Sequence, residues 1–195
     1  MAAGATDEQA RNAIVEAADE LFYTRGVNSV GMDAVRERAG FPLKRIYKLF
    51  PSKEDLVIAV LDRRSRLWDD GITRAAEASG DPVERLLAVF DFLADWFRED
   101  DFRGCAFINA YGELGSGSTR VAMAVREQKA SFQRYVADLV GRIGGSPGLA
   151  AQLVLLAEGA QTTAAISGSP EAAGVARAAA TTLIEADTGA PCVAA

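Results

Sequence analysis

Three times along this chain a capping side chain stands directly before a proline: Asp81-Pro82, Ser146-Pro147 and Ser169-Pro170-Glu171. An Asp or Ser side chain accepts hydrogen bonds from the free N–H groups of a first helical turn, and proline suits the first helical position because its missing N–H costs nothing there. Each pair predicts a helix start. Thr6-x-x-Gln9 has the form of a capping box, after which Ala10, Ile14, Ala17, Ala18, Leu21 and Phe22 repeat at helical spacing until Gly26 offers a stop. A short second helix is expected over about residues 32–39, and Gly40 permits the sharp turn after it. Pro42 is read as the first residue of a third helix carrying Ile46, Leu49 and Phe50, and Ser52-x-x-Asp55 opens a longer fourth helix toward Ala78. The start at Pro82, further helices over about 102–114 and 119–143, and the starts at Pro147 and Pro170 bring the set to nine. The expected class is all-α.

A length of 195 residues allows one large domain or a small one joined to a medium one, and 49% hydrophobic with 25% charged residues suits a soluble globular chain. Cys105 and Cys192 lie far apart and give no disulfide framework, so both are read as reduced thiols. The N-terminal residues lack a basic-then-apolar leader pattern, and no uninterrupted apolar stretch reaches about 18 residues; a cytoplasmic location without a membrane partner is expected. Histidine is absent altogether, which removes the commonest general base and the commonest metal ligand. No enzyme, cofactor or metal site is expected. The only nucleophile worth naming is Cys105 in "RGCAFINA", for which the sequence shows no basic partner.

Charge is distributed unevenly. Between Gly31 and Lys53 six basic residues (Arg36, Arg38, Lys44, Arg45, Lys48, Lys53) face two acidic ones, a local +4, whereas residues 57 to 195 carry a net −5 within a chain of −6. Two short helices joined at Gly40 have the layout of a helix-turn-helix, whose second helix enters the DNA major groove. Because salt screens charges beyond about 8–10 Å, the local patch rather than the acidic remainder governs contact with a polyanion. On charge alone a solvated helix face is the alternative; the turn, the anchors Phe41 and Phe50, and Tyr47 among lysines favour DNA reading.

The run "IVEAADELFYTRGVNSVGMDAVRERAGFPLKRIYKLFPSKEDLVIAVL" resembles the N-terminal domain of the TetR family of bacterial transcriptional regulators over about Arg11 to Leu61. The likeness is strongest at Ala39-Gly40, Ile46-Tyr47 and Phe50 to Leu56. It implies a helix-turn-helix domain over residues 1–52 and a helical effector-binding and dimerisation domain over 53–195. It also implies that Tyr47 and Lys53 contact phosphate, that Leu43, Lys44 and Arg45 face bases or neighbouring phosphates, and that Lys48 lies near the DNA backbone. The sequence departs from the family pattern at Gly31, Arg36 and Pro42. Arg36 is an added candidate contact, with pairing to a nearby acid as the alternative.

Beyond residue 61, seven of the fifteen aromatic residues fall between 90 and 111. Leu86, Phe90, Leu93 and Phe97 form one helical stripe that reads first as core, with Phe92 and Trp96 on a flanking face. Gln128 interrupts the apolar row Val121, Val125, Phe132, Tyr135 and Leu139; Asn109 and Glu113 share a helix face; Gln161 and Thr162 interrupt the eighth helix. Bonding to neighbouring backbone is one reading of these polar residues. As a set, Phe92, Trp96, Phe107, Asn109, Tyr111, Glu113, Gln128, Phe132, Gln161 and Thr162 form the candidate ligand site. Helices at about 147–168 and 170–187 are rich in small and apolar residues, which suits a homodimer contact or, alternatively, an internal core. The expected function is a ligand-responsive repressor that binds a palindromic DNA operator as a dimer and is released by a small apolar or aromatic effector. A DNA-binding dimer without an effector is the nearer alternative, and a helical enzyme using Cys105 the remote one.

Overall fold

The computed structural model describes residues 5–189. Among them there are nine α-helices and no strand: α1 (Asp7–Arg25), α2 (Met32–Ala39), α3 (Leu43–Leu49), α4 (Lys53–Glu77), α5 (Pro82–Trp96), α6 (Ala106–Leu114), α7 (Thr119–Arg142), α8 (Pro147–Ser167) and α9 (Glu171–Thr188). The fold is all-α, as the capping signals and apolar spacing predict.

The local chemistry explains most of the boundaries. Thr6 and Gln9 close a reciprocal capping box at α1, Asp81 accepts from the Val83 and Glu84 amides at α5, and Ser146 accepts from Leu149 N at α8. At α4 Ser52 Oγ accepts from Asp55 N at 3.1 Å, while the Asp55 carboxylate accepts from Ser52 N and Oγ at 3.0 and 2.7 Å. Three expectations need correction. Pro42 has ψ of 142° and is the residue before α3, not its first member. Pro170 rather than Ser169 is the N-cap of α9, although Ser169 Oγ still accepts from Glu171 N at 3.3 Å. The sixth helix starts at Ala106 and not near residue 102, because Gly104 takes φ of +83°, a left-handed conformation that breaks a helix.

The chain forms two compact units, one of residues up to Arg66 with Ala106–Arg126, the other of Leu67–Cys105 with Glu127 onward. In the first, Ile14, Ala18, Leu21 and Phe22 of α1 are buried with Val35 of α2, Ile46 of α3, and Leu56, Val57, Val60 and Leu61 of α4. Alpha-helix α6 and the start of α7 join this unit rather than the remainder of the chain. Phe107, Ala110, Val121, Ala122 and Val125 are buried there, and polar contacts add to this: Arg120 reaches Glu54 and Asp55 at 3.1 and 2.8 Å, Ser118 Oγ donates to Glu54, and Glu113 bonds the α1–α2 turn.

The second unit has its own core. Leu86, Leu87, Phe90 and Leu93 of α5 pack in one cluster with Phe132, Val136 and Leu139 of α7, Leu149 and Leu153 of α8, and Ala173, Ala180 and Ile184 of α9. The stripe Leu86, Phe90, Leu93 and Phe97 is thus core. Helix α8 is long and apolar enough, by length and composition, to cross a membrane. Its Leu149, Leu153, Val154 and Ala157 are buried in this cluster, whereas Leu155 and Ile166 are exposed. Cys192 lies outside the described residues.

Candidate functional site

Gly40 sets the turn between α2 and α3: with φ of +73° it is left-handed, and its N–H donates to Arg36 O at 3.0 Å. Val35, Phe41, Ile46 and Phe50 are buried beneath the pair, so opposite faces of α3 are fixed as inner and outer. Lys44, Tyr47 and Lys48 lie on the outer face, with Tyr47 44% exposed, while Leu43 is half-buried. This is a helix-turn-helix with an exposed cationic and aromatic second helix.

The basic side chains differ in how far they are engaged. Lys48 Nζ donates to Asp7 at 3.0 Å, and Arg45 reaches the same carboxylate at 3.4 Å, bonds the carbonyls of Ala5 and Thr6, and lies 5.3 Å over the Phe41 ring. The Lys48 hydrogen bond, more than its charge, holds the Asp7 carboxyl below its ordinary pKa. Arg36 pairs with Asp33 and Glu37 at 3.3 and 3.2 Å, so of its two alternative readings the acid pair is the one formed here. Lys53 turns inward: its Nζ donates to Val27 O at 2.6 Å and sits 5.8 Å over the Phe22 ring, and burial pushes its pKa down. Lys44 is exposed at the start of α3.

The Val27 carbonyl belongs to the α1–α2 turn, which α6 clasps from the other side. Val27 N and Asn28 N donate to the Glu113 carboxylate at 3.0 and 2.7 Å, and Asn28 Nδ2 donates to Glu113 O at 3.3 Å. Glu113, expected at a ligand, here caps the turn between α1 and α2. A cavity of about 30 Å³ lies beside it, lined in part by Asp19, Tyr23, Asn109 and Glu113. That volume suits a water molecule and little more.

The remaining candidate ligand residues fall into both units. Phe107, Asn109 and Tyr111 are on α6 in the first, with Phe107 buried and Tyr111 exposed. Phe92, Trp96 and Phe132 are in the second, where they surround a residue the sequence reading omitted, Trp68 of α4. Its ring meets those of Phe92, Trp96 and Phe132 edge-on at 5.5, 5.7 and 5.4 Å. Gly71 admits this arrangement, since a β-carbon there would stand 2.6 Å from the Phe92 ring. Gln128 and Gln161 are buried, whereas Thr162 is exposed and donates to Glu158 O within its own helix. The signal that would have found Trp68 is a lone large aromatic with Gly71 one turn later in a charged helix.

Cys105 does have a basic neighbour. Lys129 Nζ lies 3.4 Å from its sulfur and 3.5 Å from Glu158, two contacts between residues 24 or more apart in sequence that spacing could not show. Among the described residues no group of three or more His, Cys, Asp or Glu is placed to hold a metal.

A two-helix reader with a buried apolar underside and an exposed basic second helix is the architecture of a helix-turn-helix DNA-binding regulator. The match to known proteins agrees: residues 14–60 fit the family described as bacterial regulatory proteins, tetR family. A TetR regulator from Streptomyces avermitilis is 30% identical, with a TM-score of 0.79 over 91% of this chain and 97% of its own. A TetR-family transcriptional regulator from Streptomyces coelicolor superimposes with a TM-score of 0.85 at 28% identity, over 92% of this chain and 96% of its own. The transcriptional activator FasR of Mycolicibacterium smegmatis is 31% identical over 140 residues, 71% of this chain and 62% of FasR. The transcriptional repressor KstR of the same species is 37% identical over 76 residues, 39% of this chain and 37% of KstR. The chain thus spans less than two thirds of these two curated relatives. It belongs to the TetR family of DNA-binding transcriptional regulators.

Proposed function

We propose that this protein is a ligand-responsive repressor that binds a palindromic operator as a homodimer. The observation that carries the reading is the outer face of α3, where Lys44, Tyr47 and Lys48 project from a helix whose inner face is anchored by Ile46. A second helix of a helix-turn-helix reads base edges with residues at its N-terminal end, which assigns Leu43, Lys44 and Arg45 to bases or adjacent phosphates. Tyr47 and Lys48 then take the backbone. Arg45 and Lys48 reach it by exchanging Asp7 for phosphate, Lys53 by leaving Val27 O, and Arg36 by leaving its acid pair.

Support for the dimer comes from the surface of α8 and α9. Leu155 and Val175, each 71% exposed, line an open groove of about 490 Å³ between the two helices, and Ile166 of α8 is 83% exposed. A twofold dimer that reads successive major grooves needs its two α3 helices about 34–36 Å apart on one side of the duplex. The effector site is assigned to the aromatic cluster around Trp68 together with the buried Gln128 and Gln161. The division of labour at residue 52, with reading before it and effector binding and dimerisation after it, is part of this proposal, as are the cytoplasmic location and the absence of catalysis. An operator overlapping a promoter gives repression by occlusion; the relative FasR is a transcriptional activator.

Selection of bound fragments from a random or genomic DNA pool tests the reading. A twofold-symmetric site is expected, with affinity falling on a log–log salt plot at a slope of roughly −7 for four cationic phosphate contacts per subunit of the dimer. Recovery of asymmetric sequence, or binding indifferent to salt, overturns it.

A further inference from the structure

We infer that the second unit holds a closed recognition site for a flat, uncharged molecule bearing a hydroxyl group; the inference rests on the effector-binding part of the proposal above. Among the described residues, Trp68 Nε1, Gln128 Oε1 and Gln161 Oε1 are buried without a hydrogen-bond partner, and a water molecule cannot reach any of them. Buried polar atoms are ordinarily paired, so three in one unit call for a cause.

The orientation of Gln161 is settled by its surroundings. Its Nε2 donates to Ala157 O at 3.2 Å, and turning the amide over would set oxygen against oxygen. The atom left over is an acceptor. Gln128 stands one turn before Phe132 on α7, and the Phe132 ring touches Trp68, whose N–H is the unused donor. The Lys129–Glu158 pair at 3.5 Å joins α7 to α8 beside Gln128 and one turn before Gln161. Two acceptors and one donor therefore belong to one interior, next to rings rather than to free charge.

That set defines the occupant. An ionised ligand would enter without a counter-charge, because Lys129 and Glu158 already neutralise each other. The edge-on rings of Phe92 and Trp96 favour a planar apolar body. A hydroxyl both accepts and donates, so it matches the unused Trp68 N–H donor and the unused glutamine oxygens alike. Since the three atoms are sealed in this structure, the ligand stabilises an opened arrangement and would be selected by it.

Thermal unfolding of the full chain provides the first test. Gln128→Met and Gln161→Met replace an amide whose oxygen is unpaired by an apolar side chain of similar length, and each should raise Tm by about 2–4 °C. A fall in Tm overturns the inference, because it shows that the oxygen was satisfied. The second test is calorimetric titration with 2-naphthol, 2-methylnaphthalene and 2-naphthoate. The wild type should prefer 2-naphthol to the other two by roughly a hundredfold, and the double methionine variant should lose that preference. Equal binding of the methyl analogue, no binding of 2-naphthol, or a preference that survives in the variant overturns it. Operator binding is measured on the same samples and should be equal in both proteins without ligand. Loss of symmetric DNA binding by the wild type removes the regulator reading alone, since neither Tm nor the titrations depend on DNA.

Discussion

Lys48 and Arg45 both direct their charge at Asp7, the first residue of α1. An anion so close to the reading helix acts against phosphate, and DNA must displace it from two cations before those cations are free. Replacing Asp7 with Asn removes the competitor and keeps a side chain that can hydrogen-bond. Affinity for operator DNA should rise about twofold to fivefold at low salt, with the gain shrinking as salt screens it. Fluorescence anisotropy across a salt series measures both. An unchanged affinity would mean that Arg45 and Lys48 do not face phosphate. The positive charges themselves were legible in the sequence, but Asp7 lies 41 residues from Lys48, and no local spacing shows such a pair. The same holds for Lys129 beside Cys105, and for Lys53, whose partner Val27 O is 26 residues away.

At the scale of elements, the reading unit is held at two helix ends. Glu113 accepts two backbone N–H groups of the α1–α2 turn, and charge-assisted bonds of this kind contribute more than neutral ones. Glu113→Gln keeps the size and loses the charge and one acceptor, and should destabilise the protein by about 1–2 kcal/mol in urea unfolding. Equal stability would show that the turn closes without α6. At the start of α4 the Ser52 hydroxyl, with help from Arg120, holds the Asp55 carboxyl below its ordinary pKa. A depressed folded-state pKa gives stabilisation that is full above the unfolded value of about 4 and is lost as pH falls through the folded one. Asp55→Asn should therefore be less stable than wild type at neutral pH, and the difference should close on acidification below about pH 4. Helix starts were the most legible part of this fold, because a cap and its partner amide sit within three residues of each other, as at Asp81 and Ser146. The misplaced start of α6 has the opposite origin. Phe102 fitted the apolar spacing, yet its ring packs on Trp96 and Phe97, a tertiary contact that mimics helical periodicity.

For the whole molecule, the exposed apolar side chains of α8 and α9 separate a dimer from a monomer. A surface carrying Leu155 and Val175 around an open groove is costly to leave in water, and two copies meeting face to face would cover it. The alternative of an internal core holds for the other side of the same helices, where Ala157, Ala164, Ala173 and Ala180 are buried. Leu155→Glu with Val175→Glu sets two like charges from each subunit into the proposed contact while leaving that buried side untouched. Sedimentation equilibrium should then give the mass of one chain for the variant and of two for the wild type. Operator affinity should drop by about a hundredfold or more, because each reader loses the effective concentration that its partner supplies. Lys44→Ala is the counterpart: it should stay a dimer and lose operator affinity through its own contact alone. If the double glutamate variant remained dimeric and bound DNA normally, the twofold axis would have to pass elsewhere on the molecule, and the spacing of the two readers would need another origin.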